Sequence, residues 1–95
     1  MKQKIEDLIK ERVLIIDGAM GTQLQAVDIE SKFWQYENKD LEGCNEFLNL
    51  TAPHILETIY ENYAISGANF ISTNTFGSMP WVLEDYEIGH MSYEL

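Results

Sequence analysis

Asp17 follows the apolar run Val13-Leu14-Ile15-Ile16 and precedes Gly18-Ala19-Met20-Gly21-Thr22. A carboxylate at the end of a strand, ahead of a glycine turn, suits the holding of an ammonium group. The same residue in the same place is also a common turn former that bonds its own backbone. Glycines at 18 and 21 let the chain turn sharply and bring backbone N–H groups close to an anion such as a carboxylate. The spacing matches neither a dinucleotide fingerprint nor a phosphate loop, which need further glycines or a Lys-Ser/Thr pair. A second polar group, Thr73-Asn74-Thr75, ends the run that begins at Ala68. Hydroxyls and an amide at a strand end need partners, either a ligand or a hydrogen-bond network that orders the rim.

Other chemistry-bearing residues are weaker candidates. His54 and His90 fall in helical segments without a second ligand at metal spacing and read as surface or packing residues. Glu57 and Glu61 are one helical turn apart, which describes a solvated face before an acid/base pair. Cys44 is the single cysteine; it cannot form an internal disulfide or make a zinc site alone, and it reads as a small hydrophobe.

These residues are positioned by a recognisable series of elements. Ile5, Leu8 and Ile9 at helical spacing predict an amphipathic helix over Lys2 to Arg12. Val13 to Ile16 predicts a strand buried on both faces, as in parallel sheets. Residues 23–49 predict a long connection with one short helix. Thr51 as cap, Pro53 in the first turn, an apolar face of Ile55, Leu56, Ile59, Tyr60 and Tyr63, and Gly67 as stop predict a firm helix. Ala68 to Gly77 predicts a second strand. Ser78 and Pro80 predict a last helix running toward Leu95, with Gly89 as its weak spot. Strand, helix and strand in that order imply a parallel α/β sheet, with Asp17–Thr22 and Thr73–Gly77 both at the ligand-binding ends of strands.

Composition narrows the function. The chain has 95 residues, 45% hydrophobic, which suits one small globular unit. Sixteen acidic residues against six basic give a formal charge of −10, which repels phosphate backbones and argues against a nucleic-acid partner. No apolar run reaches the length that crosses a bilayer, so no membrane partner is expected. The N-terminus lacks the apolar core of a secretory signal, and a cytoplasmic location is the expectation.

Three blocks together resemble one family. Arg12 through Thr22 resembles the opening strand and turn of the homocysteine S-methyltransferases. Asn45-Glu46 with Leu48, Leu50-Thr51 and Pro53 is similar to that family's entry to its first barrel helix. Gly67-Ala68, Ile71 and Thr73-Asn74-Thr75-Phe76 are similar to its second strand. The segment between the blocks looks more like the cobalamin-dependent branch than the betaine-dependent one. The resemblance implies that the chain is the N-terminal portion of a (β/α)8 TIM barrel, about two βα units of a domain of roughly 250 residues. It implies homocysteine as substrate and methionine as product. Carried over by residue, Asp17 holds the amino group, Gly18, Ala19, Met20, Gly21 and Thr22 meet the carboxylate, and Thr73, Asn74 and Thr75 line the pocket.

In the family, zinc is held by three cysteine thiolates on later strands and lowers the pKa of the homocysteine thiol. Cobalamin and methyltetrahydrofolate act through other modules in the cobalamin-dependent branch. None of the zinc cysteines lies in this span, so no catalytic or metal-ligating residue is assigned, and the chain alone is expected to be inactive. Two strands cannot close a barrel. The expected partners are therefore homocysteine and either the remaining barrel strands or other copies of the chain. Competing readings are a barrel methyltransferase that uses betaine or S-methylmethionine, and a non-catalytic assembling module.

Overall fold

The helix that the sequence marks most clearly is also the longest one formed. In the computed structural model, which describes residues 4–95, α4 spans Pro53–Ile65. Pro53 stands in the first turn, where its missing N–H removes no helical bond. The helix stops at Gly67, whose φ of +114° suits glycine, while the Ala68 and Gly67 N–H groups close on the Tyr63 and Ala64 carbonyls. Thr51 does not cap it. Its hydroxyl donates instead to the Phe33 carbonyl at 2.7 Å, and Ala52 holds the cap position.

Ahead of α4 lie α1 (Ile5–Glu11), α2 (Gly21–Gln25) and α3 (Leu48–Thr51). Lys2 and Gln3, at the start of the expected first helix, fall outside the described residues. α1 buries none of its residues; of its apolar stripe only Leu8 is partly covered among the described residues. The connection over residues 23–49 is more ordered than expected. Besides α2 it holds a 3₁₀ turn at Ser31–Trp34 and a small antiparallel hairpin, β1 (Gln35–Tyr36) and β2 (Lys39–Asp40). The hairpin turns at Glu37 with φ +55°, and Lys39 reaches the Glu87 carbonyl at 3.3 Å, tying the hairpin to the C-terminal segment.

Two expectations need correction. The first concerns the strands: Val13–Ile16 and the stretch around Phe70 run parallel but share only one bridge, Ile16 to Phe70, and the expected strand over Ala68–Gly77 bends at Asn69 and Asn74 and ends in a turn at Phe76–Gly77. The fold is therefore mixed: helices with a small antiparallel sheet. Val13 is 86% exposed and Ile16 64%, so the run is not buried on both faces. A doubly buried strand needs cover on both sides, and here only Leu14 is partly covered. The second concerns the last helix, which is broken into α5 (Pro80–Leu83) and 3₁₀ turns at Glu84–Tyr86 and Gly89–Met91. Glu87, with φ +61°, interrupts the helical hydrogen bonds. Gly89 is less a weak spot than a requirement, since a Cβ there would stand 2.8 Å from the Pro80 carbonyl.

The core is divided. Leu24, Trp34, Leu48, Ala52, Leu56 and Ile59 form one cluster; Leu41, Cys44, Phe47, Leu83, Ile88 and Met91 form the other. The segment Cys44–Leu48 contributes to both. The radius of gyration is 15.8 Å, against about 12 Å for a compact domain of this length. Among the described residues no helix is long and apolar enough to cross a membrane.

Candidate functional site

The parallel bridge brings the two polar strand ends to one rim. The Asp17 N–H donates to the Phe70 carbonyl at 3.0 Å, and the Asn69 N–H donates to Ile15 at 2.7 Å. The Asn69 side chain accepts from the Ile15 N–H at 3.0 Å. Asp17 then spans the gap with its side chain. One carboxylate oxygen accepts the Ser72 N–H and the other the Ser72 hydroxyl, each at 3.0 Å. Thus Asp17 is a cross-strand fastener. Its oxygens keep further lone pairs for a cation, because an ionised carboxylate offers about four acceptor positions.

The turn after Asp17 rests on α4. The Tyr63 hydroxyl donates to the Ala19 carbonyl at 2.6 Å. A Cβ on Gly18 would sit 2.9 Å from that hydroxyl oxygen, so a side chain here would push the phenol off its bond. Gly21 has no such constraint: its nearest neighbour would be the Asn45 side chain at 3.8 Å. Met20 packs against the first core cluster, and Gly21 and Thr22 begin α2.

Beyond Ser72, the part-buried Asn74 is tied to the preceding segment through its side-chain NH₂ and its backbone carbonyl. Its side-chain amide donates to the Asn45 carbonyl at 2.9 Å and to the Asn49 side-chain oxygen at 3.0 Å. Asn49 returns a bond to the Asn74 carbonyl at 2.8 Å and donates to Leu95 at 3.1 Å. The Thr73 and Thr75 hydroxyls pair with each other at 2.7 Å. Asn74 thus takes part in an internal network and also faces, with Thr73 and Thr75, an open cleft. That cleft, of about 310 Å³, is lined by Tyr60, Ser72, Thr73, Asn74 and Thr75 among others. A larger hollow of about 410 Å³ beside Trp34 and Glu42 contains none of the residues Asp17–Thr22 or Thr73–Thr75.

Four residues that the motifs did not single out shape this rim: Ser72, Asn49, Tyr60 and Tyr63. Burial, and then the Asp17 charge, push the Tyr60 hydroxyl above its ordinary pKa, against a backbone contact with Asn74. Burial likewise raises the Glu46 carboxyl, while the Gly77 backbone pulls it down. A signal for the tyrosines was present in the sequence: two hydroxyl-bearing rings three positions apart on the buried face of α4. Ser72 and Asn49 carried none.

Cys44 is 1% exposed, and burial raises its thiol pKa, so it is a core residue. His54 stacks edge-on against Phe33 with centroids 5.5 Å apart, and His90 lies 6.3 Å from Tyr36. Among the described residues no three His, Cys, Asp or Glu side chains gather where a metal ion would fit.

The homocysteine S-methyltransferase family model matches residues 14–95. The methionine synthase of Mycobacterium tuberculosis (strain ATCC 25618 / H37Rv) is 50% identical over 82 residues, which is 86% of this chain and 6% of that protein. The methionine synthase of Mycobacterium leprae (strain TN) is 45% identical over 82 residues, again 86% of this chain and 6% of that protein. The chain thus spans a small part of the length of the curated relatives it matches.

Proposed function

The chain belongs to the homocysteine S-methyltransferase family, and from that premise we propose that it forms the opening part of a (β/α)8 barrel whose rim binds homocysteine for methylation to methionine. The observation that carries the reading is the Asp17–Ser72 junction, which joins both polar strand ends at one edge. In this reading Asp17 receives the substrate ammonium, and the Gly18–Gly21 turn with Thr22 meets the carboxylate. Thr73 and Thr75 border the pocket, with Asn74 holding that border in place. The location proposed is the cytoplasm.

Zinc does not fit the residues of this chain. Its one cysteine is buried with a raised thiol pKa, and the described residues hold no cluster of ligands. Activation of the substrate sulfur is therefore assigned to no residue here, and the chain's own part is to grip the amino-acid end. Zinc, cobalamin and methyltetrahydrofolate belong, in this proposal, to other parts of the longer protein.

The test is calorimetric titration of the full protein carrying this chain with homocysteine. Asp17→Asn should weaken binding by about tenfold or more, the scale of a charge-assisted contact. Unchanged affinity would remove Asp17 from the site. The 95-residue chain alone should form no methionine; methionine formation together with one equivalent of bound zinc would overturn that assignment.

The exposed strand pair favours a second reading for the chain by itself. Val13, Ile15, Ile16 and Ile71 leave apolar surface and backbone edges open to water, an arrangement that recruits other strands. Either the remaining barrel strands or further copies of the chain would cover it. A rigid monomer by light scattering would argue against the second of these.

A further inference from the structure

The turn after Asp17 is shaped by one phenol on α4. Tyr63 reaches across 44 positions to donate its hydroxyl proton to the Ala19 carbonyl. Its ring also crowds Gly18, where a Cβ would lie 3.0 Å from Cε1 and 3.2 Å from Cζ. A trans peptide unit is planar, with its C=O and N–H pointing opposite ways. No cis peptide bond occurs among the described residues. Fixing the Ala19 carbonyl on Tyr63 therefore also fixes the Met20 N–H, and directs it away from α4. That N–H makes no backbone hydrogen bond among the described residues.

We infer that Tyr63 is a positioning residue that makes the site selective for thiols bearing an α-carboxylate, by holding the Ala19–Met20 peptide with its N–H directed at that carboxylate. The inference rests on the homocysteine reading above and adds a residue outside the turn itself. Tyr63 touches no substrate. It acts through one peptide plane, so its loss should be felt only by ligands that use that plane.

The experiment uses the full protein carrying this chain and two ligands, homocysteine and the amine thiol that remains when its carboxyl group is removed. Tyr63→Phe keeps the ring and deletes the hydroxyl. Homocysteine should bind about fivefold more weakly, the factor that a neutral hydrogen bond contributes. The decarboxylated thiol should bind the variant and the parent alike. The loss should appear in KM for homocysteine, with kcat unchanged. Gly18→Ala, which pushes on the same hydroxyl, should reproduce the pattern without altering Tyr63. Equal weakening of both thiols would mean general damage to the rim and would overturn the inference, as would no weakening of either. Parent protein that binds neither thiol would instead overturn the homocysteine reading, a result distinct from the other two.

Discussion

Replacing Asp17 with asparagine tests whether the carboxylate fastens the two strands. Both of its oxygens accept from Ser72 at 3.0 Å. Asparagine keeps one acceptor for the Ser72 N–H and sets an NH₂ group where the other was, which can only donate to the Ser72 hydroxyl oxygen, so two charge-assisted bonds become neutral ones. Hydrogen bonds to charged groups contribute about 1.5–3 kcal/mol each, and competition from water at this exposed junction lowers that to about 1–2 kcal/mol. A chain of this length at the low end of natural stabilities has about 5 kcal/mol in total. Asp17→Asn should therefore remove about a quarter of it, measured by urea unfolding at a fixed protein concentration. Amide exchange at Asn69 and Phe70, whose N–H groups bond Ile15, should accelerate in step. Combining Asp17→Asn with Ser72→Ala should cost less than the sum of the two, by about 1 kcal/mol, because both changes remove the same carboxylate–hydroxyl bond. A coupling below about 0.3 kcal/mol would refute the view that this side chain joins the strands.

Gly67→Ala should destabilise the chain by about 1 kcal/mol, because alanine is strained at the left-handed φ that ends α4; unchanged urea unfolding would contradict this. Cys44 should resist alkylation at pH 8 in the folded chain and react once urea unfolds it, since burial both shields the thiol and raises its pKa. Glu46 has a folded pKa above its unfolded 4.5, so the folded state holds the proton more tightly. Its contribution to stability is present below that value and is lost as pH rises through the raised folded pKa. Glu46→Gln should accordingly flatten the fall in stability over that window, as read from urea midpoints against pH. Ile16→Lys should reduce self-association measured by light scattering while leaving far-ultraviolet helicity unchanged, because Ile16 is exposed and outside every helix.

The sequence was clearest where a periodic pattern coincided with strong punctuation. Pro53, the apolar face through Tyr63, and Gly67 bounded α4 with little ambiguity, because each end has its own steric cause. The hairpin at Gln35–Asp40 was hidden, since two-residue strands are too short to display alternation and its turn uses Glu37 rather than glycine at positive φ. Glu87 concealed the break in the last helix in the same way: an ordinary helix former adopts a left-handed conformation there. At the rim, Asp17 and the glycine turn were legible because a carboxylate after an apolar run is conspicuous. Its partner Ser72 was not, being one polar residue inside a strand-like run. Asn74 was visible as a polar strand end, but its engagement with Asn49 depends on a contact across 25 positions that no local pattern encodes.

The carboxamide of Asn49 also constrains the order of assembly. It donates both to Asn74 and to the Leu95 carbonyl, so one side chain ties together parts of the chain 25 and 46 positions away. Contacts closing such long loops form late, after the local turns of α4 are in place. The border holding Thr73 and Thr75 should thus remain unsettled during synthesis until the residues around Leu95 have emerged, with a loosely held rim on an otherwise helical body up to that stage.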